Sequence, residues 1–248
     1  KFLKSFINYK KYKLIELPSI VDCETAKIVE NSFRAINIAF IDEWTRFSNK
    51  LNINLNSIID AISLRKTHSN IMRPGVGVGG YCLTKDPGFA NISSKKIFKV
   101  KNKFPITNLS KKINSKMVKT SAEFIESKIS LKNKKILVLG ATYKEDVGDF
   151  RYSPSIELIK KLRMMTSKVD VYDPYLTNKN NFKFNLVKIL QKKTFFKKYD
   201  CIILTVKHFG FKKINFRKNL AQKTKIFDLC GFFKNKKYIS NLFILGGR

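Results

Sequence analysis

The run Ile136-Leu137-Val138-Leu139-Gly140 constrains this chain more than any other stretch. Successive side chains of a strand point to opposite faces. An unbroken aliphatic run therefore needs cover on both faces, which is the condition of a buried parallel strand. Three similar stretches follow: Val169-Asp170-Val171-Tyr172-Asp173-Pro174, Asp200–Val206 and Lys225–Leu229. Between the first two strands, Ser153-Pro154-Ser155 predicts a helix start, with Ser153 as cap and Pro154 at the first helical position. Its apolar positions are Ile156, Leu158, Ile159 and Leu162. Strand, helix and strand in alternation predict an α/β fold with a doubly wound parallel sheet.

The first half of the chain reads differently. Residues 1–18 read as the remnant of a strand, Lys13-Leu14-Ile15-Glu16-Leu17, ended by Pro18. A long helix follows, with Asp22 as its N-cap. Ala26, Val29, Phe33, Ile36, Phe40, Trp44 and Phe47 recur at steps of three and four, an apolar stripe. On pattern alone the stripe serves the chain's own core or a second copy equally well. A second helix is predicted over Leu55–Leu64, with Ile58, Ile59 and Ile62 apolar, and a third from Asn114 to Ser127. The linker between the halves is either the Lys-rich, Pro105-containing stretch 95–112 or the turn near Leu131. No internal repeats are present.

Fifty Lys and Arg against 18 Asp and Glu give a net charge of +32 over 248 residues. Such a charge suits a binder of nucleic acid or of anionic membranes. Lys, Asn, Ile and Phe abound throughout, which a biased base composition also produces. The lysines are spread along the chain, with a mild excess over Lys95–Lys112, and no nucleic-acid-binding motif accompanies them. The reading favours composition bias and expects no nucleic-acid partner. No apolar run approaches 18 residues, so no membrane span is expected. The start, Lys1-Phe2-Leu3-Lys4, leads into a Lys/Tyr-rich stretch rather than an apolar leader segment, and it lacks an initiator Met. The expectation is a fragment or a processed piece. The four cysteines show no CxxC or Cys/His spacing, so no metal site and no disulfide framework is expected. A reducing cytoplasm is the expected setting.

One cysteine stands out. Arg73 and Pro74 lead into Gly75, Gly77, Gly79 and Gly80, then Tyr81-Cys82-Leu83-Thr84-Lys85-Asp86-Pro87. Glycines let a backbone approach a ligand closely. If a helical turn starts near Cys82, its thiol and Asp86 share a face at i,i+4. The thiol then lies at the positive end of the turn beside Lys85, and both effects favour the nucleophilic thiolate. Cys201, in an aliphatic run, reads as a small buried hydrophobe. Cys23 and Cys230 carry no clear signal. On the long helix, Lys27 and Asn31 lie at i,i+4, with Arg34 a further turn on. Such a strip is usually a solvated face with snorkelling side chains. It can also set neutral hydrogen bonds beside a fixed charge, which is how oxyanions are held. No dinucleotide site is evident: no strand precedes the four glycines, and Gly140-Ala141-Thr142-Tyr143-Lys144 follows a strand but lacks repeated glycines.

The ordered set of motifs resembles the UDP-glucose/GDP-mannose dehydrogenase family over residues 19–248. The set is the Lys27/Asn31 helix, the loop Gly79-Gly80-Tyr81-Cys82 with Lys85-Asp86, Gly140 followed by Tyr143-Lys144, and Asp149, Arg151 and Ser153-Pro154. The resemblance implies a central helical dimerisation domain over 19–128, carrying the cysteine loop. It implies a C-terminal, UDP-sugar-binding, Rossmann-like domain over 129–248, with residues 1–18 as the tail of an N-terminal dinucleotide-binding domain. It implies oxidation of the C6 hydroxyl of a nucleotide sugar to a carboxylate with NAD, in a homodimer, for polysaccharide precursors. Cys82 resembles the nucleophile that attacks the C6 aldehyde, giving a thiohemiacetal and then a thioester. Lys27 resembles the lysine that stabilises the oxyanion, Asn31 its hydrogen-bonding partner, and Asp86 the carboxylate that helps activate water. Gly75, Gly77, Gly79, Gly80 and Tyr81 correspond to the loop along sugar and diphosphate. Arg73 corresponds to an arginine reaching substrate in the neighbouring subunit. Tyr143 and Lys144 correspond to substrate contacts, and Lys85 and Arg151 to contacts with NAD. The loop is closer to members acting on UDP-N-acetylhexosamines than to the UDP-glucose type. One departure is Asp228-Leu229-Cys230-Gly231, where many bacterial members have Asp-Thr-Arg-Gly. The alternative expectation is a UDP-sugar-binding piece without turnover.

Overall fold

Ser19, not Asp22, caps the long helix. In the computed structural model, which describes residues 2–177, 184–187, 195–216, 220–233, 239 and 241–247, a short helix α1, Phe2–Phe6, precedes α2, Ile20–Leu51. Ser19 has an extended backbone, and its Oγ accepts from the Asp22 amide at 3.1 Å while donating to the Asp22 carboxylate at 2.7 Å. Asp22 thus lies in the first turn, where its charge complements the helix dipole. The strand expected over Lys13–Leu17 has no regular structure, and Leu14, Ile15 and Leu17 are exposed. No strand among the described residues lies beside it to complete a ladder. Lys1, where the expected remnant begins, lies outside the described residues.

The buried face of α2 is small and polar: Asn31, Ala35, Ala39, Ile41, Asp42, Thr45 and Ser48. Small residues let α4, Tyr81–Ile92, and α5, Pro105–Asn114, pack closely against it. The predicted stripe is on the outside, with Val29, Phe33, Phe40, Trp44 and Phe47 all exposed. α3 spans Leu55–Ile62, burying Leu55 and Ile59, and α6 spans Met117–Glu126. Pro105 opens α5 at its first helical positions, so the stretch 95–112 is not a free linker. A π-helical turn, Ser93–Ile97, extends α4.

The second layer is a five-stranded parallel sheet of order β2-β1-β3-β4-β5. Its strands are β1 Ile136–Leu139, β2 Val169–Tyr172, β3 Cys201–Leu204, β4 Lys225–Asp228 and β5 Leu242–Ile244. β5 is an addition to the four strands expected. Helix α7, Pro154–Met165, starts as predicted, with Ser153 accepting from the Ser155 amide and Pro154 at its first positions. The apolar runs serve both faces. Ile136, Val138, Val171, Cys201, Ile203 and Phe227 pack with Ala122, Phe124 and Ile125 of α6 and Leu158, Ile159 and Leu162 of α7. Leu137, Leu139, Ile202, Leu204 and Ile226 pack against Phe195, Phe196, Tyr199, Phe211 and Phe216. Full burial of each such aliphatic or aromatic side chain is worth about 1.5–3 kcal/mol. Past β5 the chain returns to the helical layer. The Leu55 amide donates to the Gly246 carbonyl at 2.8 Å, and the Gly246 amide donates to Asn49 Oδ1 at 2.9 Å.

Candidate functional site

Helix α4 begins at Tyr81, after Gly80 in a left-handed conformation (φ 81°). Cys82 therefore lies in the first turn with Asp86 one turn on, the arrangement the spacing anticipated. Cys82 is exposed. Asp86 is buried and accepts from Asn31 Nδ2 at 2.8 Å, and Asn31 is itself only 1% exposed. Two predicted site residues from separate helices are thus brought together. Lys27 is not drawn into that bond; it is exposed and pairs with Glu30 at 3.0 Å, which holds the Glu30 carboxyl below its usual range. The Lys85 ammonium lies 3.8 Å from the centre of the Tyr81 ring and 5.4 Å from that of Phe89, a cation–π clamp.

The glycine loop is small for a reason the sequence did not show. A Cβ on Gly79 would stand 2.6 Å from Pro154 Cδ and 2.9 Å from Tyr143 Cβ. One on Gly80 would stand 2.7 Å from the Tyr143 ring, and one on Gly77 2.9 Å from Pro154 Cβ. The loop lies flat on the segment between β1 and α7, so the cysteine turn and the sheet layer share a seam. Only Gly75 of the four opens onto free space. The Tyr81 and Tyr152 rings meet across the seam at 5.9 Å. Arg73 pairs with Asp60 in its own chain. With Asn56, Lys207 and Phe233 these two line a cleft of about 280 Å³ between α3 and the sheet.

Two residues the sequence reading passed over organise the segment after β1. Asp173, just beyond β2, is buried and accepts from the Ala141 amide at 2.7 Å, the Thr142 amide at 3.1 Å and the Tyr175 amide at 2.9 Å. Fully buried His208, beyond β3, meets the same carboxylate through Nε2 at 3.1 Å. Burial works to raise the Asp173 carboxyl, but the His208 bond and the Ala141 and Tyr175 amides outweigh it and hold it below its ordinary value. A carboxylate closing a strand in an apolar context was the available signal for Asp173. For His208 nothing in the local pattern distinguished it. Asp228 does similar work at the end of β4, accepting from the amides of Cys230, Phe232 and Phe233 at 3.1, 3.0 and 2.7 Å.

This arrangement bears on the dinucleotide. In nucleotide-binding βα units the amides after the first strand face the pyrophosphate. Here the amides of Ala141 and Thr142 are taken by Asp173. A Cβ on Gly140 would stand 2.7 Å from Val206 Cβ, so this glycine serves packing. The turn does not fit a dinucleotide. Arg151 is exposed and forks onto Asp149, with Nη2 at 2.7 Å from one oxygen and Nε at 3.0 Å from the other. Tyr143 donates its amide to the Asp149 carbonyl at 2.9 Å, and Lys144 beside it is exposed. The Cys201 thiol, fully buried in the sheet, is pushed up by burial, as is that of Cys230, beside Asp228. Among the described residues no three His, Cys, Asp or Glu side chains converge as metal ligands, and no helix is long and apolar enough to cross a membrane.

Known proteins resemble this chain in sequence and fold. Residues 22–116 match the central domain, and residues 137–235 the UDP binding domain, of the UDP-glucose/GDP-mannose dehydrogenase family. The UDP-N-acetyl-D-mannosamine dehydrogenase of Methanococcus vannielii is 31% identical over 98% of this chain and 52% of its own length. The UDP-N-acetyl-D-glucosamine 6-dehydrogenase of Salmonella typhi is 29% identical over 90% of this chain and 50% of its own. Among solved structures, a UDP-D-ManNAc dehydrogenase from Pyrococcus horikoshii superposes with a TM-score of 0.69 at 26% identity, covering 89% of this chain and 51% of that one. The chain spans about half the length of the curated relatives it matches. Its helical layer and its sheet thus match, in order, two successive domains of one set of enzymes, and the chain belongs to the UDP-glucose/GDP-mannose dehydrogenase family.

Proposed function

We propose that this chain carries the nucleophile and the nucleotide-sugar-binding domain of a cytoplasmic nucleotide-sugar 6-dehydrogenase acting on a UDP-N-acetylhexosamine. The observation that carries this reading is the seam at which the Cys82 turn, backed by the Asn31–Asp86 bond, meets Tyr143 of the sheet layer. The names of the relatives, which act on UDP-N-acetylmannosamine and UDP-N-acetylglucosamine, support the choice of sugar.

In this reading the Cys82 thiolate adds to the C6 aldehyde carbon of the sugar. The new C–S bond sends the carbonyl electron pair to oxygen, where the Lys27 ammonium is the stabilising charge. Asn31 holds Asp86 in place; a thioester would form only once the thiohemiacetal carbon gave up a hydride to NAD, and Asp86 would then take a proton from the water that hydrolyses it. Gly75 to Tyr81 lie along the sugar and diphosphate, with Tyr143 and Lys144 opposite and Arg73 at the subunit edge. NAD supplies hydride acceptance in such an oxidation. The turn after β1 does not fit it, and Lys85 and Arg151 are engaged with Tyr81 and Asp149. No step through it is assigned to these residues. The occupied turn favours a second reading, in which this chain binds the UDP-sugar without turnover.

Calorimetric titration with UDP-N-acetylglucosamine, UDP-N-acetylmannosamine, UDP-glucose and GDP-mannose tests the proposal, with NAD reduction followed in parallel. The N-acetylated UDP-sugars should bind most tightly, and Tyr143→Ala should weaken them. Absence of binding by any UDP-sugar overturns the proposal. NAD reduction that disappears in Cys82→Ser selects turnover over binding alone.

A further inference from the structure

We propose that buried His208 and Asp173 form a positioning device, which sets the backbone of residues 141–146 and thereby aims Tyr143 and Lys144 at the diphosphate of the nucleotide sugar. The inference rests on the UDP-sugar reading above and adds two residues that this reading does not use.

The geometry starts from the His208 ring. It is fully buried, with the Tyr175 ring 5.1 Å from its centre and the Phe211 ring 5.2 Å away, edge-on. Its Nδ1 accepts from the Asp146 amide at 3.0 Å. An accepting Nδ1 places the ring proton on Nε2. That proton faces Asp173 Oδ2 at 3.1 Å, with Thr142 Oγ1 at 3.2 Å. Thr142 Oγ1 in turn donates to the Lys144 carbonyl at 3.1 Å. Asp173 takes the Ala141 and Thr142 amides on the same oxygen. Asp146, a non-glycine residue at φ 55°, is held from its other side as well. Its Oδ1 accepts from the Phe209 amide at 3.0 Å and from Tyr175 Oη at 3.1 Å. A left-handed conformation of this kind persists only where its surroundings fix it.

Residues 141, 142, 144 and 146 are therefore fixed through their backbones by groups from three strand ends, and Tyr143 and Lys144 lie between the fixed points. The strand order reverses between β1 and β3, the place where open α/β sheets bind ligands outside their carboxyl ends. The buried pair there, a neutral imidazole beside a carboxylate, binds no ligand atom itself. Its effect reaches the ligand through the phenol of Tyr143 and the ammonium of Lys144, both suited to phosphate oxygens.

The test compares His208→Leu, which removes both hydrogen bonds, with His208→Gln. The glutamine amide can accept from Asp146 and donate to Asp173. Tyr175→Phe is the mild third variant, removing one bond from an exposed ring. Two measurements are made on the full chain: affinity for UDP and for uridine, and amide hydrogen exchange over 141–151. His208→Leu should lose UDP affinity about tenfold with little loss for uridine, and should exchange faster at 141–146. His208→Gln should recover most of both, and Tyr175→Phe should speed exchange at 146 alone. Unchanged exchange at 141–146 in both His208→Leu and Tyr175→Phe overturns the proposal, as does equal weakening of UDP and uridine. If the unaltered chain binds no UDP, the UDP-sugar reading falls. The exchange data then still decide whether His208 sets this backbone.

Discussion

Asn31 and Asp86 stand 55 positions apart and meet in a single buried hydrogen bond. Asn31→Leu leaves a carboxylate buried without its donor, which costs about 1–3 kcal/mol. Urea unfolding should show that loss, whereas Lys27→Leu, on an exposed side chain, should leave the midpoint nearly unchanged. Equal stability of Asn31→Leu and the parent would show that the bond is not what holds α4 to α2. Both residues were legible in the sequence, Asn31 in a polar strip with Lys27 and Asp86 on one face with Cys82, because residue type and spacing carry that much. Their contact was not, since spacing along one helix says nothing about the neighbour across from it. The glycines make the same point: Gly79 and Gly80 read as room for a ligand, yet the atoms that exclude a Cβ belong to Pro154 and Tyr143.

At the scale of elements, the strands were legible where both faces are buried, because an unbroken aliphatic run admits few other readings. β5 escaped because three residues give no period. The α2 cap was misplaced by three positions because Ser19 and Asp22 are both good caps, and only the extended backbone at Ser19 decides between them. The strand ends carry a pH prediction. Asp173 and Asp146 are held below the ordinary Asp value of 3.8, Asp173 against its own burial and Asp146 mainly by the Phe209 amide. Their contribution to stability is present above 3.8 and is lost as pH falls through the lower native values. Asp42 acts in the opposite sense: burial raises its carboxyl, so protonation there gains stability as pH falls from the raised value to 3.8. Stability should therefore hold or rise slightly in mild acid and fall steeply below 3.8, as read by urea midpoints across pH. Asp173→Asn should flatten the acid limb, and an unchanged limb would remove Asp173 from the account.

For the whole molecule, the revealing contrast is between the two faces of α2. Inward it shows Ala35, Ala39, Thr45 and Ser48, and outward Phe33, Phe40, Trp44 and Phe47, each about half exposed. The period of the stripe was legible, but a period does not say whether the matching surface is in the same chain. Phe40, Trp44 and Phe47 already stack edge to face, at 6.4 and 5.6 Å, as a pre-formed ridge. Pairing two copies along this ridge would remove on the order of 800 Å² of aromatic surface from water, worth about 20 kcal/mol against roughly 4–15 kcal/mol lost on association. The margin is favourable but rests on these rings alone, so two charges placed among them should abolish it. Sedimentation equilibrium should find the parent chain dimeric at micromolar concentration and Phe40→Asp/Trp44→Asp monomeric. The circular dichroism of the variant should match that of the parent, since neither ring belongs to the buried core. A monomeric parent, or a variant that still pairs, would assign the ridge to something other than a second copy.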